Sequence, residues 1–582
     1  MKKVVFLSQK KNIIYLLKRM TLSSYIQSMI DASPRKWVAY TTVAVVLYLL
    51  LGVFFGFDVC DNGQYMTMYA NIFTAPDTVG YHFMYYLSGI VGGVGAWVFP
   101  SMGLLGMRLF GLLCLVACLF LVWKILTPHI TLFASLAGGV ITIFAYTPHP
   151  ITFFYNILSI LLFLLAIDRF QKSTVFSCLM GGILLGANFF SRTPNVLGVA
   201  FIFIPLVQAM CYRSDQKKAM RNVGVAGAGV AFGICIVIGL MKCLGHWEIF
   251  LNNLKTLGAI ANDKTGEATH SLTMLILVQL NFYAHELGIL VVLMALICGQ
   301  SSLQLHIENK VGRAALLFAT LLLFACVCFL LRPMQILWAV CALGCLKGIF
   351  NSKLGLRFIS IIALSLMLVI PMGCDFAFNT GSIPFVLALP ITVAICQVCA
   401  ERLRTDWFWS TFVVVCIIKA LTNGAYFDGG RLWEKTATIE NSRAAGILTT
   451  PERAAIINDV LDGIKPWVHP GDTMLVYGSM PMLNYLTDTR PAMDCCWPEL
   501  LSSALLTERL NSMKPLPIVL RQKFVSIGTE FTAPTDSMLH TYGAAQSAFC
   551  IDTKIAVLNH FLATHPYRVA YDTPHFTLYL PK

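Results

Sequence analysis

The chain has 582 residues, of which 57% are hydrophobic and only 12% charged, and its mean hydropathy is +0.72. Soluble domains carry roughly 25% charged residues, so a soluble globular protein is excluded. The formal charge of +13 does not mark a nucleic-acid binder, because residues 1–422 hold 29 Lys+Arg against 14 Asp+Glu while 423–582 hold 13 against 15; the basic excess belongs to the apolar part.

In chain order, residues 10–30 read as a basic amphipathic helix on the cytoplasmic surface, within a cytoplasmic segment 1–35. The first apolar stretch, Val4 to Leu7, is too short for the core of a secretory signal. Apolar runs of about spanning length then occur near 36–57, 102–123, 131–147, 152–168, 173–190, 195–212, 222–244, 273–300, 314–331, 334–350, 357–372, 383–399 and 407–422. They predict a polytopic helical bundle over 36–422 with about thirteen crossings, each helical because unpaired backbone groups in hydrocarbon are costly. With the N-terminus inside, the cytoplasmic segments hold 22 Lys+Arg and the outer ones seven before residue 423, as the positive-inside rule requires. An odd number of crossings places 423–582 outside. That tail alternates short apolar stretches (TMLVYGS, LPIVL, YRVAYDT, FTLYLPK) with helical patterns and predicts a small extracytoplasmic α/β domain.

The 19 cysteines sit mostly in apolar segments, where Cys packs as a small hydrophobe. No zinc-type spacing occurs, and no spacing assigns a disulfide between Cys495 or Cys496 and Cys550. Two outer loops are long enough to build a site, 58–101 and 245–272. The first holds Asp58, Asp61 and Asp77 and no Lys or Arg. Asp58 and Asp61 would share a face if the helix persisted, with Tyr65 and Tyr69 continuing the line, and the spacing from Tyr65 to Phe73 predicts a helix lying in the membrane interface. Asn281, His285 and Glu286 interrupt the eighth apolar run and predict a break there at the outer surface.

The pattern Asp61-Asn62-Gly63-Gln64-Tyr65 directly after the first crossing resembles the first outer loop of the membrane-embedded GT-C glycosyltransferases, in particular the bacterial type that uses polyprenyl-phosphate sugars. The resemblance also takes in Tyr155-Asn156 opening the fourth crossing, Ser191-Arg192-Thr193-Pro194-Asn195 ending the fifth, and the tail segment VYGSMPMLNYLTDTRPAMD (476–494). It implies a multi-pass protein of the inner (cytoplasmic) membrane, in contact with membrane lipids. The implied activity is inverting transfer of a sugar from a polyprenyl-(di)phosphate donor to a lipid, glycan or protein acceptor on the extracytoplasmic face. The family's first-loop carboxylate, acting as base or orienting the acceptor, maps onto Asp61, with Asp58 as a second catalytic candidate.

An anionic leaving group calls for cations at the outer boundary. Arg192 and Arg332, in SRTP and LRPM, are placed to bind the donor phosphate in bidentate fashion; the competing reading is that each snorkels or pairs structurally. Tyr65, His82, His149, Tyr155, Asn195 and Asp375 are further candidates for substrate contacts. Asn62 stands where many members have Glu, which leaves a hard cation poorly ligated: no metal ligands are assigned and no cofactor is expected, a divalent cation being possible but not indicated. The rival readings are a polytopic transporter, against which the missing internal repeat counts, and a polysaccharide ligase or polymerase using a polyprenyl-linked donor.

Overall fold

A computed structural model describes residues 22–145, 151–262, 272–374, 381–399, 405–423, 428–523 and 552–582. The chain runs through α1 (Leu22–Ala32), α2 (Pro34–Phe54), α3 (Asp61–Asn71), a 3-10 helix (Pro76–Tyr85), α4 (Tyr86–Val98), α5 (Gly103–Leu126), α6 (Leu132–Ala145), α7 (Tyr155–Gln171) and α8 (Val175–Phe189). A second 3-10 helix (Thr193–Phe203) leads into α9 (Ile204–Tyr212), followed by α10 (Gln216–Cys243), α11 (Trp247–Ala261), α12 (Leu272–His306), α13 (Lys310–Leu330), α14 (Pro333–Ile349), α15 (Leu354–Val369), α16 (Ala388–Val398) and α17 (Asp406–Thr422).

The described parts of the apolar runs lie mostly on these helices, the run 195–212 being shared between the second 3-10 helix and α9. Among the described residues, six helical segments are long and apolar enough to cross a membrane and five more are apolar but shorter. The eighth run does not break: α12 is continuous through Asn281, His285 and Glu286. Glu286 is buried and its Oε1 accepts from Gln335 of α14 at 3.1 Å, so a partner on a neighbouring helix, rather than a cap, accommodates the carboxyl group. Close helix packing uses small residues. A Cβ at Gly182 of α8 would stand 2.1 Å from the Ala226 carbonyl of α10, and one at Gly229 of α10 would stand 2.4 Å from the Leu179 carbonyl.

The segments turn at two ends of the bundle. At one, Thr131 donates to Gln397 (2.9 Å), Gln397 to Gln27 (3.0 Å) and Asn222 to the Ser173 carbonyl (2.8 Å). At the other, the N–H groups of Ile151, Phe153 and Leu87 donate to the carbonyls of Gly52 (3.0 Å), Met107 (3.1 Å) and Phe190 (2.8 Å), and Lys419 near the end of α17 donates to the Leu331 carbonyl at 2.8 Å.

The tail docks at this second end. It contains a short antiparallel pair, β1 (Ala437–Thr438) and β2 (Leu448–Thr449), and then α18 (Pro451–Ile464), β3 (Thr473–Tyr477), α19 (Met482–Thr487), β4 (Arg490–Pro491), α20 (Ser503–Asn511), β5 (Ile518–Gln522), α21 (Asp552–Thr564), β6 (Tyr567–Asp572) and β7 (Phe576–Pro581). The five-stranded sheet has the order β4-β3-β5-β7-β6, with β3 parallel to β4 and β5 and the remaining pairs antiparallel. The tail is therefore an α/β unit, as its alternating pattern predicts.

Candidate active site

The first long loop is built by the end of α2. Gly56 takes φ +93°, a left-handed conformation open to glycine, and its N–H donates to the Leu448 carbonyl of the tail at 2.8 Å. The helix does not persist from Asp58 to Asp61, so the two carboxylates share no helical face. Asp58 precedes α3 and caps it: Oδ1 accepts from the Cys60 N–H at 2.8 Å and Oδ2 from the Asn62 N–H at 2.9 Å, with the Asn62 amide donating to the same oxygen. A carboxylate at a helix N-terminus meets orphan N–H groups and the positive end of the dipole. Burial pushes the Asp58 carboxyl up to about 6, while the Asn62 and Cys60 bonds and the nearby Arg453 pull it back. Asp58 has no exposed surface.

Nor is α3 exposed, as a helix lying free on a membrane surface is. Nine of its eleven residues are buried, because the tail covers it. Met482 donates its N–H to the Val59 carbonyl (3.1 Å), the Cys60 thiol to the Ser479 carbonyl (2.8 Å) and Thr67 to the Pro481 carbonyl (2.9 Å). Gly63 is required at this contact, since a Cβ would stand 2.2 Å from the Met482 nitrogen. Beneath it lies a buried ion cluster. Asp428 meets Lys435 Nζ at 2.8 Å and Arg453 Nε at 3.0 Å, and accepts from the Phe57 N–H (2.7 Å) and the Thr449 hydroxyl (3.0 Å). Arg453 also donates to the Phe57 carbonyl at 3.2 Å, and buried Arg108 of α5 to the Val53 and Gly56 carbonyls at 3.0 and 2.6 Å.

His82 belongs to this locked region. It is fully buried, with Nδ1 3.0 Å from the Gln64 amide nitrogen and Nε2 3.1 Å from Cys496 Sγ, and burial pulls its imidazole down to about 3. A side chain so enclosed touches protein on every side.

Asp61 opens α3 and is half-buried. It acts electrostatically on both Tyr65 and Tyr155. Tyr155 opens α7, and its ring stacks on Tyr85 with centroids 4.1 Å apart at 5°, while Tyr65 stands edge-on to it at 5.8 Å and stacks on Phe154 at 5.8 Å. The Arg192 guanidinium carbon lies 5.6 Å from the Tyr155 ring centroid, a cation–π geometry, and Nη1 donates to the Ile370 carbonyl at 2.6 Å. Arg192 is extended immediately before Thr193-Pro194, where the proline opens the second 3-10 helix. Asp61, Tyr65, Tyr85, Tyr155 and Arg192 thus form one group at the tail-bearing end.

The other candidates fall elsewhere. Asn195 is buried and donates to Ser159 (2.8 Å) and to Asn188 (3.1 Å), so it ties the second 3-10 helix to α7 and α8 behind Arg192. Arg332 is exposed at the start of α14; its N–H donates to Gln335 Oε1 at 3.0 Å, and among the described residues no contact joins its side chain to the Asp61 group. The antiparallel contact of α14 with α15 nevertheless puts it at the same end as Ile370. His149 and Asp375 lie outside the described residues, as does Cys550. Tyr85 and the Asp428–Lys435–Arg453 cluster are what sequence reading misses: Tyr85 is one tyrosine in a tyrosine-rich loop, and the cluster joins positions far apart in the chain. Three potential metal-binding side chains do not converge anywhere among the described residues.

No family model matches the chain. No curated protein matches it either. Among solved structures it is similar to the oligosaccharyltransferase of Archaeoglobus fulgidus in two crystal structures. One, a complex with Zn and sulfate, is 11% identical with a TM-score of 0.43, over 83% of this chain and 68% of that one. The other, tethered through a disulfide to an acceptor peptide containing the NVT sequon, is 12% identical with a TM-score of 0.42, over 93% and 74%. Similarity of that degree is too slight to transfer a role.

Proposed function

We propose that this protein is a membrane glycosyltransferase that moves a sugar from a polyprenyl-(di)phosphate donor to an acceptor hydroxyl or amide, with inversion, at the tail-bearing end of the bundle. The observation that carries the reading is that Tyr155 lies within electrostatic reach of Asp61 and carries the Arg192 guanidinium 5.6 Å from its ring centroid. A carboxylate and a guanidinium held beside stacked tyrosines suit a reaction in which an acceptor loses a proton while an anionic phosphate departs. Asp61 takes the acceptor proton as the new glycosidic bond forms. Arg192 holds the departing phosphate with its charge fixed throughout; its Ile370 bond aims the guanidinium and leaves further N–H donors on the group. Tyr65, Tyr85 and Tyr155 offer ring faces and hydroxyls to the sugar. Asp58 is a positioning residue, which sets the first turn of α3 and thereby the direction of Asp61.

The orientation that follows from the basic asymmetry puts this site on the extracytoplasmic side, the N-terminus in the cytoplasm and the tail outside. The test is release of polyprenyl phosphate from undecaprenyl-phosphate-linked hexose and pentose donors by the purified full chain in lipid nanodiscs. Acceptor-dependent release from at least one donor is expected. Translocation of the intact donor with no sugar transfer would instead establish the transporter reading.

A further inference from the structure

A cavity that the Asp61 group does not line lies among the described residues. That cavity, about 1130 Å³, lies between the 3-10 helix Pro76–Tyr85, α11, and the tail around β4, α20 and residues 512–518. It exceeds the roughly 300–1,000 Å³ of small-molecule sites. Its walls are pinned together: Arg509 grips Asp494 with two bonds of 3.0 and 3.1 Å and reaches Thr256 at 3.3 Å. The Tyr81 N–H donates to the Asp494 carbonyl at 2.8 Å and Asn253 donates to the Tyr81 carbonyl at 2.7 Å.

We propose that this cleft binds the carbohydrate chain of a glycan acceptor, remote from the unit that receives the sugar; the role as acceptor subsite rests on the glycosyltransferase reading, while the carbohydrate binding stands by itself. Three features select the ligand. The lining carries four acidic and four basic side chains, Asp77, Glu508, Lys255 and Arg490 among them, so it offers many hydrogen-bonding groups with balanced charge and suits a neutral polyhydroxyl compound. Asn252, exposed on the cleft wall, adds an amide that both donates to and accepts from hydroxyl groups. A peptide strand is disfavoured, because the sheet edge at the cleft is β4, two residues long and ending in Pro491, which has no N–H for a ladder.

Length enters through α3. Thr74, just beyond its C-terminal end, lines the cleft, while Asp61 stands at its start. An 11-residue helix covers about 16 Å at 1.5 Å per residue. A ligand filling the cleft reaches Asp61 only as an extended chain of several units.

The test uses full-length protein in nanodiscs on an array of neutral and charged oligosaccharides, with a peptide array beside it, comparing wild type, Ala259→Trp and Asp77→Ala. Both substituted positions are exposed and line the cleft, and thermal melting checks the fold. Neutral oligosaccharides of four or more units should be retained by wild type and by Asp61→Asn, and should bind at least tenfold more weakly to Ala259→Trp and measurably more weakly to Asp77→Ala. No retained oligosaccharide, retention insensitive to Ala259→Trp, or retention of peptides in their place would overturn the proposal. Sugar transfer by wild type without array binding would refute the cleft alone; array binding without transfer would refute the enzymatic reading and leave the carbohydrate site standing.

Discussion

Two carboxylates three positions apart in the first long loop meet opposite surroundings. Asp58 faces the tail, has no exposed surface, and spends its oxygens on the first turn of α3. Asp61 begins that turn half-buried, within electrostatic reach of Tyr65 and Tyr155, and the Arg192 guanidinium packs on the Tyr155 ring. The side that docks the tail is buried and closely hydrogen-bonded to it, and the other side gathers Asp61, Tyr65, Tyr155 and Arg192. Proximity in sequence says little about role. What divides the two residues is which side of a single short helix each one serves.

The comparison breaks most severely if the docked face loses its central anion. Asp428→Ala strips the partner from buried Lys435 and Arg453, and such removal typically costs about 3–5 kcal/mol. Melting of the purified protein should fall sharply, and limited proteolysis should release the tail. Unchanged melting would mean that the cluster does not hold the tail to the bundle.

A narrower blow is Gly63→Ala, which drives a Cβ against the Met482 backbone. Overpacking of this kind costs about 1–3 kcal/mol. Activity should fall more than stability, because the displaced helix carries Asp61. Full activity with normal melting would show that α3 need not sit tightly on the tail.

Acid tests the docked face in another way. Because burial pulls His82 down to about 3 from an ordinary value near 6.5, the unfolded chain binds the proton more readily between those values. The contribution of neutral His82 is fully present above about pH 6.5 and is lost progressively as pH falls toward 3, reaching about 2 kcal/mol by pH 5. His82→Gln should therefore show a shallower loss of stability between pH 6.5 and 4 than wild type; parallel curves would place the acid sensitivity elsewhere.

On the reactive face the expected change is in donor binding rather than fold. Arg192→Ala should raise KM for the polyprenyl-linked donor at least tenfold with melting nearly unchanged, and Arg192→Lys should recover part of the loss, since Lys supplies the charge without the planar fork. Wild-type KM in the Ala variant would leave Arg192 as a helix tie through Ile370.

The helices were legible because burial in lipid or in a bundle writes long apolar runs directly into the sequence. The α/β pattern of the tail was legible for the same local reason. Asp61 and Arg192 could be nominated, one as a carboxylate in a loop without Lys or Arg, the other as a cation at an end of the bundle poor in them. Their shared neighbour Tyr155 could be listed but not placed between them. What no local pattern encodes is pairing across hundreds of residues: Asp428 to Phe57, Met482 to Val59, Cys496 to His82. Those contacts bury His82 and cover α3, neither of which a loop histidine or a short amphipathic pattern announces. Glu286 misled for a related reason, because its partner Gln335 lies on another helix.

The central claim is that Asp61, and not Asp58, handles the acceptor proton. The most direct measurement is the single-turnover rate of sugar transfer, from a donor that wild type consumes, by Asp61→Asn and Asp58→Asn proteins whose melting is recorded alongside. Positioned proton transfer is worth roughly 10²–10⁴ in rate, so Asp61→Asn should melt like wild type and react at least a hundredfold more slowly. Asp58→Asn should lose stability and a smaller share of rate. Transfer at the wild-type rate by well-folded Asp61→Asn would contradict the account.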